Sequence, residues 1–147
     1  MSLPTTLVLD TNCLIYRLDD PDGFRGRWLD EKVFRPAVSG AIDLAVSAVA
    51  LAELLVGPYA DGQASRAQAV RRTLETLPGL TVVEFTAGAA DAAARIRAGT
   101  GLPLPDAIML ATAELASATL LTNDRQLLHA ANPVRVLILD DEMGVPS

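Results

Sequence analysis

At 147 residues the chain is the size of a single domain, with half its residues hydrophobic and few aromatics to fill the core. A net charge of −6 argues against a basic, non-specific nucleic-acid binder, although eleven of the twelve basic residues are Arg, the better fork for phosphate. Cys13 is the lone cysteine, no basic-then-apolar leader opens the chain, and no apolar run is long enough for a bilayer. This excludes internal disulfides, Cys-based zinc sites and a membrane span, and a reducing, cytoplasmic setting is expected.

Taken in chain order, the run Thr6–Asp10 reads as a strand and 12–18 as a short helix. A second helical pattern covers 25–39, with Pro36 predicting a kink or break. Residues 42–47 form the next strand. Helix 48–56 follows and should stop at Gly57-Pro58. A helix over 62–77 ends at Pro78-Gly79, before a strand over 80–85. An Ala-rich helix over 87–98 closes at Gly99 and Gly101. Pro103 and Pro105 lead into a helix over 105–117. Then come a strand over 119–122, a helix over 124–130, a strand over 135–139 and a solvated acidic tail, Asp140-Asp141-Glu142. About five strands alternating with helices predict an α/β domain with a mostly parallel sheet, one domain over 1–147.

Four acids stand in apolar settings. Asp10 ends Leu7-Val8-Leu9, Glu53 lies among Leu51, Leu54, Leu55 and Val56, Asp106 opens Ala107-Ile108-Met109-Leu110, and Asp124 follows Leu120-Leu121-Thr122-Asn123. A carboxylate in apolar surroundings is costly unless paired or bound to metal. With only Lys32 and His129 besides the arginines, a hard divalent cation is the natural counter-charge if the acids converge. Asp10 and Asp124 both follow strands, and open parallel sheets bind ligands beyond the carboxyl ends of their strands. Taken singly, each acid also reads as a helix cap, a first-turn acid or the wet side of a helix. Asp20-Pro21-Asp22-Gly23 fails as a calcium loop, because Leu18 and Leu29 fall where terminal acidic ligands belong.

Asp10-Thr11-Asn12, Ala52-Glu53-Leu54-Leu55-Val56-Gly57, Leu104-Pro105-Asp106-Ala107-Ile108-Met109-Leu110-Ala111-Thr112-Ala113 and Thr122-Asn123-Asp124 resemble the motifs of PIN-domain ribonucleases. The likeness is greatest to the VapC toxins of bacterial toxin–antitoxin pairs and runs from about residue 6 to 139. It implies a three-layer sandwich of sheet and helices. It implies metal-dependent RNA hydrolysis with Mg²⁺ or Mn²⁺, one or two ions, leaving a 5′-phosphate and a 3′-hydroxyl. Asp10, Glu53, Asp106 and Asp124 map onto the catalytic and metal-binding quartet, and Asn12 and Thr122 onto its polar supports. The resemblance also implies a cognate antitoxin, a homodimer, and an apolar groove for the partner among the helices at 12–18, 25–39, 48–56 and 62–77. Leu14, Tyr16, Trp28, Leu29, Leu55 and Leu74 are the groove candidates. Arg125, Arg17, Arg25 and Arg27 are candidates to contact RNA. The alternatives are a housekeeping PIN nuclease in RNA processing, distinguished by the lack of a small neighbouring gene, and a receiver-like signalling module. The receiver pocket needs a Lys after a late strand, and Lys32 lies too early.

Overall fold

The computed structural model describes residues 3–129 and 131–146. Its centre is β1 (Thr6–Leu9), whose three apolar residues Leu7, Val8 and Leu9 are wholly buried. Successive side chains on a strand point to opposite faces, so helices cover both faces of the sheet. β1 pairs in parallel with β2 (Asp43–Ser47) on one side and β4 (Thr119–Thr122) on the other. β3 (Leu80–Val83) extends the sheet beyond β2, and β5 (Val136–Ile138) beyond β4, giving the all-parallel order β3-β2-β1-β4-β5. The chain therefore winds outward from β1 in one direction and resumes on its other side at β4. That reversal opens a crevice at the carboxyl ends of β1 and β4.

The helices follow their local signals with four exceptions. α1 (Thr11–Asp19) starts where Asp10 caps it. The second helical segment is divided into α2 (Phe24–Leu29), a π-helical stretch over Asp30–Phe34, and α3 (Arg35–Val38). The π turn, in which Arg35 N–H reaches Asp30 C=O, precedes Pro36, so the helix continues past the proline instead of breaking. Gly26 packs α2 onto the end of α1, since a Cβ there would meet Asp20 O at 2.1 Å.

α4 (Ala48–Ala60) does not stop at Gly57-Pro58. Pro58 gives up only its own N–H bond, and Asp61 N–H closes the next turn on Gly57 C=O at 3.0 Å. α5 (Ala64–Thr76), α6 (Ala87–Thr100) and α7 (Leu104–Leu115) match their patterns. Ala92, Ala93, Ala107 and Ala111 are buried in the core, small enough to let α6 and α7 approach closely.

The predicted helix over 124–130 shortens to one 3₁₀ turn, Arg125–Leu127, and residue 130 lies outside the described residues. Asp124 Oδ1 caps the turn by accepting Gln126 N–H, and Asn132 Nδ2 donates to Leu127 C=O, taking the carbonyl that a continuing helix would need. Nor is Asp140-Asp141-Glu142 a solvated tail. It forms α8 (Leu139–Glu142), pinned by two arginines. Among the described residues no helix is long and apolar enough to cross a membrane.

Candidate active site

The crevice between β1 and β4 is built from the end of each strand. Asp10 follows β1, is 8% exposed, and is held by three bonds. Its N–H donates to Leu121 C=O at 3.0 Å, its Oδ1 accepts Thr11 N–H at 2.8 Å, and its Oδ2 accepts the Thr122 hydroxyl at 2.7 Å. Thr122, fully buried at the end of β4, also accepts from Asn12 Nδ2 at 3.3 Å and from Asp124 N–H at 3.0 Å. One hydroxyl thus ties the first acid, the polar residue after it and the fourth acid together.

Glu53 reaches the same network from α4. Ser47 caps α4 directly after β2, and Thr11 Oγ1 donates to Glu53 Oε1 at 3.0 Å. Asp106 lies in the first turn of α7, where free N–H groups favour negative charge. Its pKa is raised, first by burial and then by the charges of Asp124, Asp10 and Glu53. Asp10 is likewise raised, chiefly by burial and also by Asp124, against the lowering effect of the Thr122 and Thr11 bonds. The charges of Asp10, Glu53 and Asp124 therefore all reach Asp106. Among the described residues none of them forms an ion pair with Lys, Arg or His. No three His, Cys, Asp or Glu side chains there stand close enough to close a coordination shell unaided. The donor set is all hard oxygen. Mg²⁺ commonly binds through one or two carboxylates and keeps several waters, so spaced carboxylates suit it.

A family model described as "PIN domain" matches residues 7–133. The chain belongs to the PIN family. No curated protein matches it, but solved structures do. A toxin–antitoxin complex from Klebsiella pneumoniae shares 25% identity and a TM-score of 0.69, covering 90% of this chain and 97% of the other. FitAcB from Neisseria gonorrhoeae is similar at 24% identity and TM-score 0.68, covering 90% and 97%. VapBC2 from Rickettsia felis, bound to a DNA fragment from its promoter, shares 20% and a TM-score of 0.67, covering 90% and 98%. The last two likenesses show the fold alone.

The arginines of this PIN domain are mostly engaged by carboxylates. Arg17 pairs with Asp30 at 3.0 Å and lies over Phe34, Arg25 pairs with Asp140, and Arg125 pairs with Asp141. Arg27 is exposed and forms no ion pair among the described residues. The groove candidates divide. Leu14 and Leu29 are sealed in the core and offer a partner no surface. Tyr16 is tied to Asn123, and Trp28 lines a separate cleft with Leu3, Lys32 and Ile42. Leu74 borders an apolar cleft of about 410 Å³ with Leu18, Phe34, Val38 and Leu77. A smaller cleft of about 210 Å³, lined by Ile15, Leu18, Leu54, Val70 and Glu53, leads toward the acids. Sequence reasoning passed over Thr11, the one side-chain partner of Glu53 among the described residues, and Asn123. Both lie inside the acidic motifs, and that adjacency was the available signal.

Proposed function

We propose that this PIN domain is a metal-dependent endoribonuclease and the toxin of a VapC-type toxin–antitoxin pair. The observation that carries the nuclease reading is a set of four carboxylates at the switch point of a PIN sheet, three of which act on Asp106, with no basic partner among the described residues. Asp10 and Asp106 would hold Mg²⁺ or Mn²⁺, with Glu53 and Asp124 completing one or two sites. A bound divalent cation supplies charge that polarises a phosphodiester and acidifies a water. The chain's own residues do the positioning. Thr122 and Asn12 orient Asp10 and the backbone of Asp124, Thr11 steers Glu53, and the first turn of α7 favours the ionised form of Asp106. Attack on phosphorus would leave a 5′-phosphate and a 3′-hydroxyl. The excess of Arg over Lys suits an RNA substrate, and of the four candidate arginines Arg27 alone forms no ion pair among the described residues.

The toxin reading draws on the antitoxin complexes among the similar structures, above all the one from Klebsiella pneumoniae. The clefts that meet at Leu18 offer a cognate antitoxin an apolar track ending beside Glu53. Val56 and Tyr59, exposed on α4, suit a homodimer face, and the setting is cytoplasmic.

The deciding experiment is sequencing of RNA ends after brief expression, with Asp10→Asn as control. New 5′-phosphate ends at defined positions, absent with the control, are the expected result. Equal patterns from both proteins would refute the nuclease reading. Cleavage without growth arrest, and without a small neighbouring gene whose product binds, would replace the toxin by a housekeeping nuclease.

A further inference from the structure

Beside the acids, four residues from three helices and the turn after β4 close a ring. Arg25 in α2 gives Nε and an Nη to the two carboxylate oxygens of Asp140, each at 2.8 Å. The same guanidinium lies over the ring of Tyr16 in α1, 5.1 Å from its centroid. The Tyr16 hydroxyl accepts from Asn123 Nδ2 at 3.3 Å. Asn123 Oδ1 in turn accepts the backbone N–H of Asp140 at 3.1 Å, which returns to the start. A bidentate Arg–carboxylate pair fixes orientation as well as distance, and the aromatic face beneath adds a cation–π contact.

The ring meets the acids through one short stretch of backbone. Asn123 stands between Thr122, which holds Asp10, and Asp124. Its own N–H donates to Asn12 Oδ1 at 3.2 Å, while the Asn12 amide donates to Thr122. Both the main chain and the side chain of Asn123 are thus committed, the first inward to the acid network and the second outward to the ring. If the ring opens, residues 122–124 lose their tie to Tyr16, α2 and α8. Among the described residues they then keep, outside the acid network, only the β5 pairing of Thr122 with Ile138 and the local bonds of Asp124 to Gln126 and Leu127.

We propose that the ring Tyr16–Asn123–Asp140–Arg25 positions Thr122 and Asp124 against Asp10, with Asn123 its principal positioning residue, and so sets the affinity of the acid site for a divalent cation. This rests on the metal-site reading above. It also gives Arg25 a role distinct from RNA contact, and it makes α8 a structural part of the site.

The test is titration calorimetry of the full chain with Mn²⁺ alone, without RNA, on wild type, Asn123→Ala, Arg25→Lys and Tyr16→Phe, beside melting curves in chelator. Direct hydrogen-bond partners of metal-binding groups typically contribute 10–100-fold in affinity; the Asn123 and Arg25 side chains act one step further out, so Asn123→Ala and Arg25→Lys should each weaken Mn²⁺ binding by about fivefold to tenfold. Tyr16→Phe removes one oxygen, keeps the aromatic face and should preserve the fold, so it decides the matter if Asn123→Ala unfolds. The bond it removes is a single neutral one, so a loss of about threefold is expected for it. Combined with Asn123→Ala it should add little, since both break one bond. Mn²⁺ affinity unchanged in all folded variants would overturn the proposal while leaving the metal site intact. Unchanged Mn²⁺ affinity with weaker RNA binding in Arg25→Lys would return Arg25 to RNA contact and remove it from the ring. Absence of Mn²⁺ binding by wild type would overturn the metal-site reading and the proposal with it.

Discussion

Thr122 donates its hydroxyl to Asp10 Oδ2 at 2.7 Å across the junction of β1 and β4, two adjacent parallel strands far apart in the chain. Thr122 Oγ1 in turn receives Asn12 Nδ2 and Asp124 N–H. Thr122→Val keeps the shape and removes all three bonds. Leaving buried groups unsatisfied should cost about 1–3 kcal/mol in urea unfolding. Losing the donor also raises the pKa of Asp10 further, since that bond is the largest effect lowering it. RNA cleavage should fall by about tenfold or more, as for other outer partners of metal-binding groups. An unchanged unfolding midpoint would show that the hydroxyl is not the junction's anchor.

Asp10→Asn and Asp106→Asn should both abolish RNA cleavage, yet differ in stability. Asp10 accepts two hydrogen bonds as a carboxylate, one of which an amide nitrogen cannot accept. Its replacement should therefore lower metal-free stability by about 1 kcal/mol. Asp106 accepts no hydrogen bond among the described residues and is repelled by three acids, so Asp106→Asn should melt higher than wild type in chelator. At about 100 times its Kd a cation should add roughly 2.7 kcal/mol to wild type, and far less to either variant. Cleavage by both variants at the wild-type rate would sink the acid-site mechanism.

The pH dependence follows from the directions of three shifts. Asp10 and Asp106 are raised above the ordinary 3.8, chiefly by burial, so the folded state holds their protons at higher pH than the unfolded chain. Their destabilising charge is fully present above the folded values and is relieved as pH falls through them. Asp140 is lowered, chiefly by its hydrogen bonds to Arg25, so its stabilisation is present above 3.8 and is lost as pH falls toward its folded value. In chelator, the melting temperature should therefore climb from neutral into mild acid and fall once pH drops below 3.8. Saturating Mn²⁺ should remove the climb. A steady decline from neutral pH in chelator would contradict the strained-site description.

Val38→Glu tests the partner surface. Val38 is 51% exposed at the apolar cleft between α3 and α5, and it is remote from the acid network. A carboxylate there should block an apolar partner segment at little cost to the fold. Toxicity should then persist when the antitoxin is co-expressed, with cleavage by the free protein unchanged. Rescue equal to wild type would place the partner elsewhere.

Much of this was legible locally. Strands buried on both faces read as continuous apolar runs, so β1 and β4 announce themselves as Leu7-Val8-Leu9 and Leu120-Leu121. Caps and breakers mark most helix ends, as at Thr86 and at Gly101 with its positive φ. The four acids stand out because a lone carboxylate in an apolar run has a cost that calls for an explanation. The order of the motifs was likewise enough to point to the family before any geometry.

The sheet order is a tertiary matter. Nothing local says that β4 settles beside β1, yet that pairing joins Thr122 to Asp10 and turns separate strand ends into one crevice. Nor does local pattern say that Asn132 takes up Leu127 C=O and so ends after one turn the helix that Asp124 caps, or that Asp140 captures Arg25. Apolar periodicity reports which face of a segment is buried, a property of the segment itself. Hydrogen bonds and ion pairs between side chains distant in the chain depend on where packing delivers each partner, and only the folded sheet settles that.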